Sequence, residues 1–159
     1  MVFCAISMRG KVCIHMFEEG ENEDGEIYRQ LLVDLIIPAC LEVYPDGDFI
    51  FQQDGAGPHT AKETQQLLTD LSNRFGLKFI ASKEWHPYSI DVNACDFRLW
   101  AHAQQEIYAT GSPSSMSELR ERIMRWWNCL SDDLIRKWMQ ELRPGTSGCR
   151  EWNPDRAMI

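Results

Sequence analysis

Two aspartates in the middle of the chain, Asp54 and Asp96, have the side-chain type that metal-dependent chemistry requires. Asp54 follows the apolar run 49–51 and opens a loop rich in glycine and proline, and Asp96 lies in a second polar segment downstream. Carboxylates are the hard oxygen ligands that Mg²⁺ prefers, and water completes its octahedral shell, so a few converging carboxylates can hold the ion. The sequence therefore makes Asp54 and Asp96 candidate ligands of a divalent metal.

Each aspartate also has a purely structural interpretation, which the local sequence leaves open. Asp54 precedes Gly55, and Asp-Gly is a common turn dipeptide. Asp96 lies three residues after Asn93, where it would complete a helix-capping arrangement or complement the helix dipole.

The segment around Asp54 has the pattern of a buried strand that delivers its last polar residue into a turn. The run 49–51 is too short for a helix, and its continuous apolar character is typical of a strand covered on both faces. Thr60 and Glu63 have capping-box spacing, which predicts a helix start, with the apolar stripe Thr64, Leu67, Leu68, Leu71 and Phe75 behind it. Asp54 is thus expected at the C-terminal tip of a central strand, where α/β sheets commonly place their chemistry.

The remaining elements predict an α/β fold with a mixed sheet and right-handed crossovers. A hairpin over 2–17 precedes a helix from Ile27 to about Val43 with a bend at Pro38, and a strand over 77–82 follows the helix that ends at Gly76. Asn93, Ser115 and Ser131 are the expected starts of three later helices. We therefore predict one domain over 1–142 and an irregular C-terminal tail over 143–159.

The composition is that of an ordinary globular domain without a basic surface. The net charge is −8 and the isoelectric point about 5.0, and residues 1–59 contain three basic side chains against eleven acidic ones. Any DNA contact must therefore be local, bridged by a metal, or made by a segment outside this chain. The six cysteines form no C-x-x-C pair, which favours reduced core thiols. Because no membrane span or signal peptide is predicted, a cytosolic or nuclear protein is expected.

Two segments resemble the catalytic domain of mariner-type transposases, which belong to the DDE/D group. The segment 49–61 (FIFQQDGAGPHTA) resembles the one that carries the second catalytic acid of the family, and 87–96 (PYSIDVNACD) resembles the one that carries the third. Residues 2–11 are similar to the hairpin that precedes the first helix. The resemblance covers roughly 2–142 and implies a ribonuclease H-like fold.

The resemblance implies catalytic and metal-binding roles for Asp54 and Asp96, and it places His59 close to Asp54 as an accessory group. A helix-start histidine that only packs on the loop is the alternative for His59. The implied cofactor is Mg²⁺ or Mn²⁺, and the implied partner is the DNA of transposon ends, bound by a homodimer in the nucleus with no membrane contact. Two metal ions would activate the nucleophile and stabilise the leaving oxygen in DNA strand cleavage and transfer.

This chain also departs from the family pattern. Ile90 and Ala94 stand where prolines are usual, which leaves the shape of that loop open. The first catalytic aspartate of the family lies on a strand before the hairpin, and this chain begins after it. We therefore expect a ribonuclease H-like sheet that lacks its first strand, weakened metal binding and no cleavage activity. The alternatives are a domesticated, non-catalytic remnant that binds nucleic acid or protein, and an unrelated acidic interaction module.

Overall fold

The computed structural model describes residues 1–20, 24–84, 93–141 and 157–158, which form one sheet with helices on both faces. The strands are β1 (Val2–Ser7), β2 (Gly10–Met16), β3 (Ile50–Phe51), β4 (Lys78–Phe79) and β5 (Ala157–Met158). The helices are α1 (Gly25–Leu31), α2 (Ile37–Val43), α3 (Gly57–Thr60), α4 (Lys62–Phe75), α5 (Trp100–Ile107), α6 (Met116–Cys129) and α7 (Asp132–Glu141). Two π-helical segments, Leu32–Ile36 and Cys95–Leu99, run directly into α2 and α5.

The sheet has the strand order β2-β1-β5-β3-β4 and is mixed, as predicted. β1 pairs antiparallel with both β2 and β5, whereas β3 pairs parallel with both β4 and β5. β5 therefore occupies the position between β1 and β3. This strand comes from the segment predicted as an irregular tail, and the rest of that segment lies outside the described residues.

Alternation along β1 divides the core into two layers. Cys4 and Ile6 belong to an apolar cluster with residues of α5, α6 and α7. Ala5 belongs to a second cluster, on the other face, with residues of α1, α2 and α4. All three side chains are at most 5% exposed, so β1 is buried on both faces by helices. The predicted helix-flanked α/β architecture is confirmed.

The helix predicted from Ile27 to Val43 begins two residues earlier and contains the expected irregularity near Pro38. Asp24 caps it by accepting hydrogen bonds from the backbone N–H groups of Glu26 and Ile27, both at 2.9 Å. Because Pro38 has no N–H, it cannot bond to the carbonyl four residues before it, and the π-helical turn just ahead of it changes that hydrogen-bonding pattern.

The capping box predicted at Thr60 is wrong. Gly57 and Pro58 start the short helix α3, and the chain becomes extended at Ala61 (φ −55°, ψ 140°) before α4 begins at Lys62. The hydroxyl of Thr60 donates back to the carbonyls of α3, at 3.2 Å to Ala56 and 3.3 Å to Gly57. Thr60 thus closes α3 instead of opening α4. The predicted inward stripe of α4 is confirmed, with Thr64, Leu68 and Leu71 buried and Leu67 and Phe75 packed at the edge of the core.

Two further helix boundaries lie at the predicted residues. Gly76 ends α4 in the left-handed conformation (φ 75°), and the hydroxyl of Ser115 accepts the Glu118 N–H at 3.1 Å to cap α6. Cys4, Cys13, Cys40 and Cys95 are buried free thiols and Cys129 is exposed, whereas Cys149 lies outside the described residues. Among the described helices, none is long and apolar enough to cross a bilayer.

Candidate metal-binding cleft

Asp54 lies in a tight loop three residues after the end of β3. Its Oδ1 accepts a hydrogen bond from the Ala56 N–H at 2.9 Å, which is the side-chain turn that the Asp-Gly dipeptide predicts. The same oxygen lies 2.5 Å from Nδ1 of His59, and a charged carboxylate makes that nitrogen the donor. The side chain of Asp54 is 48% exposed. The turn therefore orients this carboxylate and leaves half of it open to the cleft.

A network that the sequence did not predict holds His59 in place. Its backbone carbonyl accepts from Nε2 of Gln53 at 2.9 Å and from Nε2 of Gln65 at 2.8 Å. Its ring lies 4.2 Å from the ring of Tyr28, whose hydroxyl donates to Oε1 of Gln53 at 2.7 Å. His59 is only 7% exposed. Helices α1 and α4 thus fix the histidine that holds Asp54.

Asp96 lies in the π-helical segment that leads into α5, and Asn93 holds it. Oδ1 of Asn93 accepts from the N–H groups of Cys95 at 3.0 Å and Asp96 at 3.4 Å, and its Nδ2 donates to Oδ2 of Asp96 at 3.0 Å. Asn93 is 4% exposed. The capping interpretation of this pair is therefore correct. Ala94, which stands where a proline is usual in the resembling family, is fully buried, and Ile90 lies outside the described residues.

The structure brings all three predicted side chains to one cleft. A cavity of about 140 Å³ lies between the N-terminal half of β1 and the chain that leaves β3. It is lined by Met1, Val2, Phe3, Cys4, Phe51, Gln52, Gln53, Asp54, His59, Asn93, Cys95, Asp96 and Trp100. Within this described lining there is no lysine or arginine, so the two carboxylates dominate its electrostatics.

The two carboxylates have opposite pKa shifts. The hydrogen bond from His59 lowers the pKa of Asp54 below its ordinary value of 3.8, although burial acts in the other direction. Burial, followed by the charge of Asp54, raises the pKa of Asp96. The influence of Asp54 on Asp96 indicates that the two charges lie close enough to interact. A cation bound between them would remove the cost that raises the pKa of Asp96.

Each of the two carboxylates has one oxygen that neighbouring groups do not use. Oδ1 of Asp54 and Oδ2 of Asp96 are used by neighbouring groups, whereas Oδ2 of Asp54 and Oδ1 of Asp96 have no hydrogen-bond partner among the described residues. One uncommitted oxygen from each side, with water, suits the oxygen-rich octahedral shell of Mg²⁺. The described part of the chain contains no group of three or more histidine, cysteine, aspartate or glutamate side chains placed to hold a metal. Within that part of the chain, the candidate ligands are therefore the two carboxylates.

Comparison with solved structures assigns the fold. The chain superposes on the crystal structure of the catalytic domain of Mos1 mariner transposase with a TM-score of 0.69 and 20% sequence identity, over 85% of this chain and 64% of that one. The fold is that of a mariner transposase catalytic domain. A Mos1 catalytic domain with Raltegravir and Mg gives a TM-score of 0.67 at 19% identity, over 85% and 65% of the two chains.

The Mos1 transposase paired-end complex with left transposon end gives a TM-score of 0.72 at 20% identity, over 89% of this chain and 39% of the transposase chain. This chain thus spans less than two thirds of the mariner chains that it matches. Comparisons with protein-family models and with curated proteins give no match. The predicted resemblance to the mariner-type catalytic domain is confirmed for the fold, which is ribonuclease H-like, at an identity that carries no residue roles.

Proposed function

We propose that this chain carries two metal-binding carboxylates of a DDE/D transposase site, Asp54 and Asp96. In a longer polypeptide of mariner type, the site would take part in metal-dependent cleavage and transfer of DNA strands. The observation that carries the proposal is the meeting of the two aspartates in one cleft, from segments that are separated by α3, α4 and β4. The mariner fold supports it, because Mos1 structures include a complex with a transposon end and one with Mg.

Asp54 and Asp96 have distinct parts in this proposal. A bound Mg²⁺ or Mn²⁺ supplies Lewis-acid chemistry at the phosphate that is cut. Asp54 stays ionised because His59 and the Ala56 N–H hold its charge, so it is a permanent anionic ligand. Asp96 is fixed by Asn93 and offers its second oxygen. Because the described lining contains two aspartates and no lysine or arginine, we expect a phosphate to enter this acidic cleft together with a cation.

The same geometry supports the proposal that this polypeptide alone does not cut DNA. Two-metal phosphoryl transfer needs ligands for both ions, and the described residues bring together two carboxylates. We assign the role of the further ligand to the aspartate that mariner-type relatives carry on the strand before the hairpin, and residues 1–17 contain no aspartate. The DNA of transposon ends and a homodimer complete the proposal, in line with the Mos1 paired-end complex. The nucleus is the compartment where we expect such a protein to act.

A second candidate is a remnant that binds nucleic acid or protein without catalysis. The limited ligand set among the described residues favours it over a complete enzyme. The two candidates differ in whether DNA binding depends on the metal. A transposase-derived site needs the cation to admit phosphate, whereas a reused binding surface does not.

Metal binding tests the first candidate, the transposase-derived site, directly. Mn²⁺ titrations followed by electron paramagnetic resonance of the free ion should show one site in the wild-type chain. Asp54→Asn and Asp96→Asn should each weaken it by about tenfold or more, because each removes a charged oxygen ligand. Asp70→Asn, at an exposed aspartate of α4, is the matched control and should bind like wild type. Unchanged affinity in Asp96→Asn would refute the site.

DNA binding and nicking separate the candidates. Fluorescence anisotropy with a short DNA duplex should show binding that requires Mn²⁺ and is lost in Asp96→Asn. Binding of equal strength in EDTA would favour the non-catalytic remnant. Supercoiled plasmid incubated with the wild-type chain and Mn²⁺ should stay intact, and nicking that disappears in Asp54→Asn would show that this polypeptide is itself a nuclease.

A further inference from the structure

The side-chain amide of Gln53 joins Tyr28 of α1 to His59 of α3. Its Oε1 accepts a hydrogen bond from the Tyr28 hydroxyl at 2.7 Å, and its Nε2 donates to the His59 carbonyl at 2.9 Å. A carbonyl can only accept, so the nitrogen of this amide must face His59 and its oxygen must face Tyr28. The Tyr28 hydroxyl is therefore the donor of the pair, and it fixes the orientation of the Gln53 amide.

Side chains from neighbouring elements set the position of α3, which is a helix of only four residues. A helix of one turn makes few backbone hydrogen bonds of its own. Besides the Gln53 amide, the His59 carbonyl accepts Nε2 of Gln65 from α4 at 2.8 Å. Oε1 of Gln65 accepts in turn from the Ser82 N–H at 3.0 Å, in the chain that follows β4. The placement of His59 thus depends on two glutamines and on what holds them.

Tyr28 can fix His59 because its own position is set by the core. Its side chain is fully buried in the apolar cluster that contains residues of α1, α2 and α4. The centroids of the Tyr28 and His59 rings are 4.2 Å apart, at an interplanar angle of 41°. Tyr28 therefore acts on the histidine at two points, on the imidazole directly and on the backbone carbonyl through Gln53. Two separate contacts restrict both the ring and the backbone of His59.

The imidazole of His59 transfers this placement to Asp54. Its Nδ1 donates to Oδ1 of Asp54 at 2.5 Å, whereas Oδ2 of Asp54 has no hydrogen-bond partner among the described residues. Because the two oxygens of a carboxylate are rigidly linked, the hydrogen bond at Oδ1 decides where Oδ2 points. Groups that orient a metal ligand in this way affect metal affinity even though they do not touch the ion.

We infer that Tyr28 is a positioning residue of the cleft, whose hydroxyl acts through Gln53 and His59 to hold the Asp54 carboxylate in the orientation that receives a divalent cation. Tyr28 is not among the described residues that line the cavity, so its effect is indirect. The inference rests on the proposed function for the role of the cation. The hydrogen-bonded chain from Tyr28 to Asp54 is present without it.

Removal of one hydroxyl tests the inference. Tyr28→Phe keeps the buried ring and removes the donor to Gln53. Tyr44→Phe is the matched control, because Tyr44 is buried in the same cluster and its hydroxyl has no hydrogen-bond partner among the described residues. In the Mn²⁺ titration, Tyr28→Phe should bind about threefold or more weakly than wild type, a smaller loss than the roughly 10–100-fold typical of groups that contact a ligand. Tyr44→Phe should bind like wild type, and equal affinities of the two variants would overturn the inference.

A double-mutant cycle tests the path through Gln53. Gln53→Met retains the length of the side chain but loses both the acceptor for Tyr28 and the donor to His59. It should weaken Mn²⁺ binding at least as much as Tyr28→Phe does. The double variant should bind like Gln53→Met alone, because the hydroxyl acts through an amide that is no longer there. Additive losses would refute the path from Tyr28 through Gln53.

A measurement without metal separates this inference from the proposed function. In protein with isotope-labelled histidine, nuclear magnetic resonance should show a downfield, slowly exchanging Nδ1–H signal of His59, assigned by its absence in His59→Gln. The signal should broaden or disappear in Tyr28→Phe and persist in Tyr44→Phe. Gln53→Met, at a half-buried residue, gives the same comparison where Tyr28→Phe does not fold. If the wild-type chain binds no Mn²⁺, the proposed function fails and this signal still decides whether Tyr28 positions the carboxylate. An unchanged signal in both variants contradicts the inference.

Discussion

The two aspartates of the cleft reach it by different structural routes. Asp54 follows a buried strand and lies in a turn, where a backbone N–H and the ring of His59 both donate to one of its oxygens. Asp96 lies at the start of a helix, where, among the described residues, the side-chain amide of Asn93 donates to it. Asp54 is thus held by two groups that favour its charge, and Asp96 by one neutral amide.

This difference explains why similar carboxylates have opposite pKa shifts. The His59 hydrogen bond outweighs burial at Asp54, whereas burial and the neighbouring charge act together at Asp96. Asp54 therefore behaves as a fixed negative charge of the fold. Burial and the neighbouring charge of Asp54 disfavour the charged form of Asp96. We therefore expect the charges of Asp54 and Asp96 to affect the stability of the fold in opposite directions near neutral pH.

Among substitutions in the cleft, replacement of Asp54 is expected to have the largest effect on stability. Asp54→Ala removes the acceptor of the buried His59 nitrogen and of the Ala56 N–H, and should lower the free energy of unfolding by about 1–3 kcal/mol. Urea denaturation measures this loss. Asp46→Ala, at an exposed turn aspartate, is the control and should stay within about 0.5 kcal/mol of wild type. A loss at Asp54 no greater than that of the control would show that the His59 contact does not stabilise the fold.

A smaller effect is expected on the other side of the cleft, at Asn93. Asn93→Ala removes the buried acceptor that caps the start of the helix and should cost about 1 kcal/mol in urea denaturation. Asn93→Ser retains a capping oxygen and should recover much of this loss. If serine and alanine prove equally destabilising, the cap is not the source of the stability.

Features that depend on a few adjacent residues could be predicted from the sequence. The hairpin, the Asp54 turn and the Gly76 helix end each depend on a few adjacent residues, and the structure has all three. The capping box at Thr60 failed for a similarly local reason. Gly57 and Pro58 begin a short helix earlier, and the hydroxyl of Thr60 donates to a carbonyl of that helix at its C-terminal end.

Contacts between distant segments account for what the sequence did not predict. Tyr28 has the spacing of an ordinary core residue, and nothing nearby in the sequence indicates that its hydroxyl reaches Gln53 and its ring stacks beside His59. The pairing of β5 with β1 likewise joins residues from opposite ends of the sequence, Ser7 and Met158. The meeting of Asp54 and Asp96 could be inferred because the resemblance to a known fold supplied the long-range information.

The smallest change in stability is expected for Asp96→Asn. This variant most directly tests whether Asp54 and Asp96 have opposite pKa shifts. Because its folded-state pKa lies above the ordinary value of 3.8, its contribution to stability is fully present below pH 3.8 and is lost as the pH rises through the folded-state pKa. Asp96→Asn should therefore be more stable than wild type at pH 7, by less than about 1 kcal/mol because solvent screens this partly exposed group. The difference should vanish in acid.

Asp54→Asn should behave in the opposite way, since the pKa of Asp54 is lowered. Its stabilising contribution is present above pH 3.8 and is lost as the pH falls through the folded-state pKa, so the variant should be less stable than wild type at pH 7 and converge with it in acid. Thermal unfolding from pH 3 to pH 8 measures both differences, with Asp70→Asn as control. Mn²⁺ sharpens the contrast, because it should stabilise wild type and thereby cancel the advantage of Asp96→Asn. Destabilisation by Asp96→Asn at pH 7 without metal would show that its capping contact outweighs the cost of its charge.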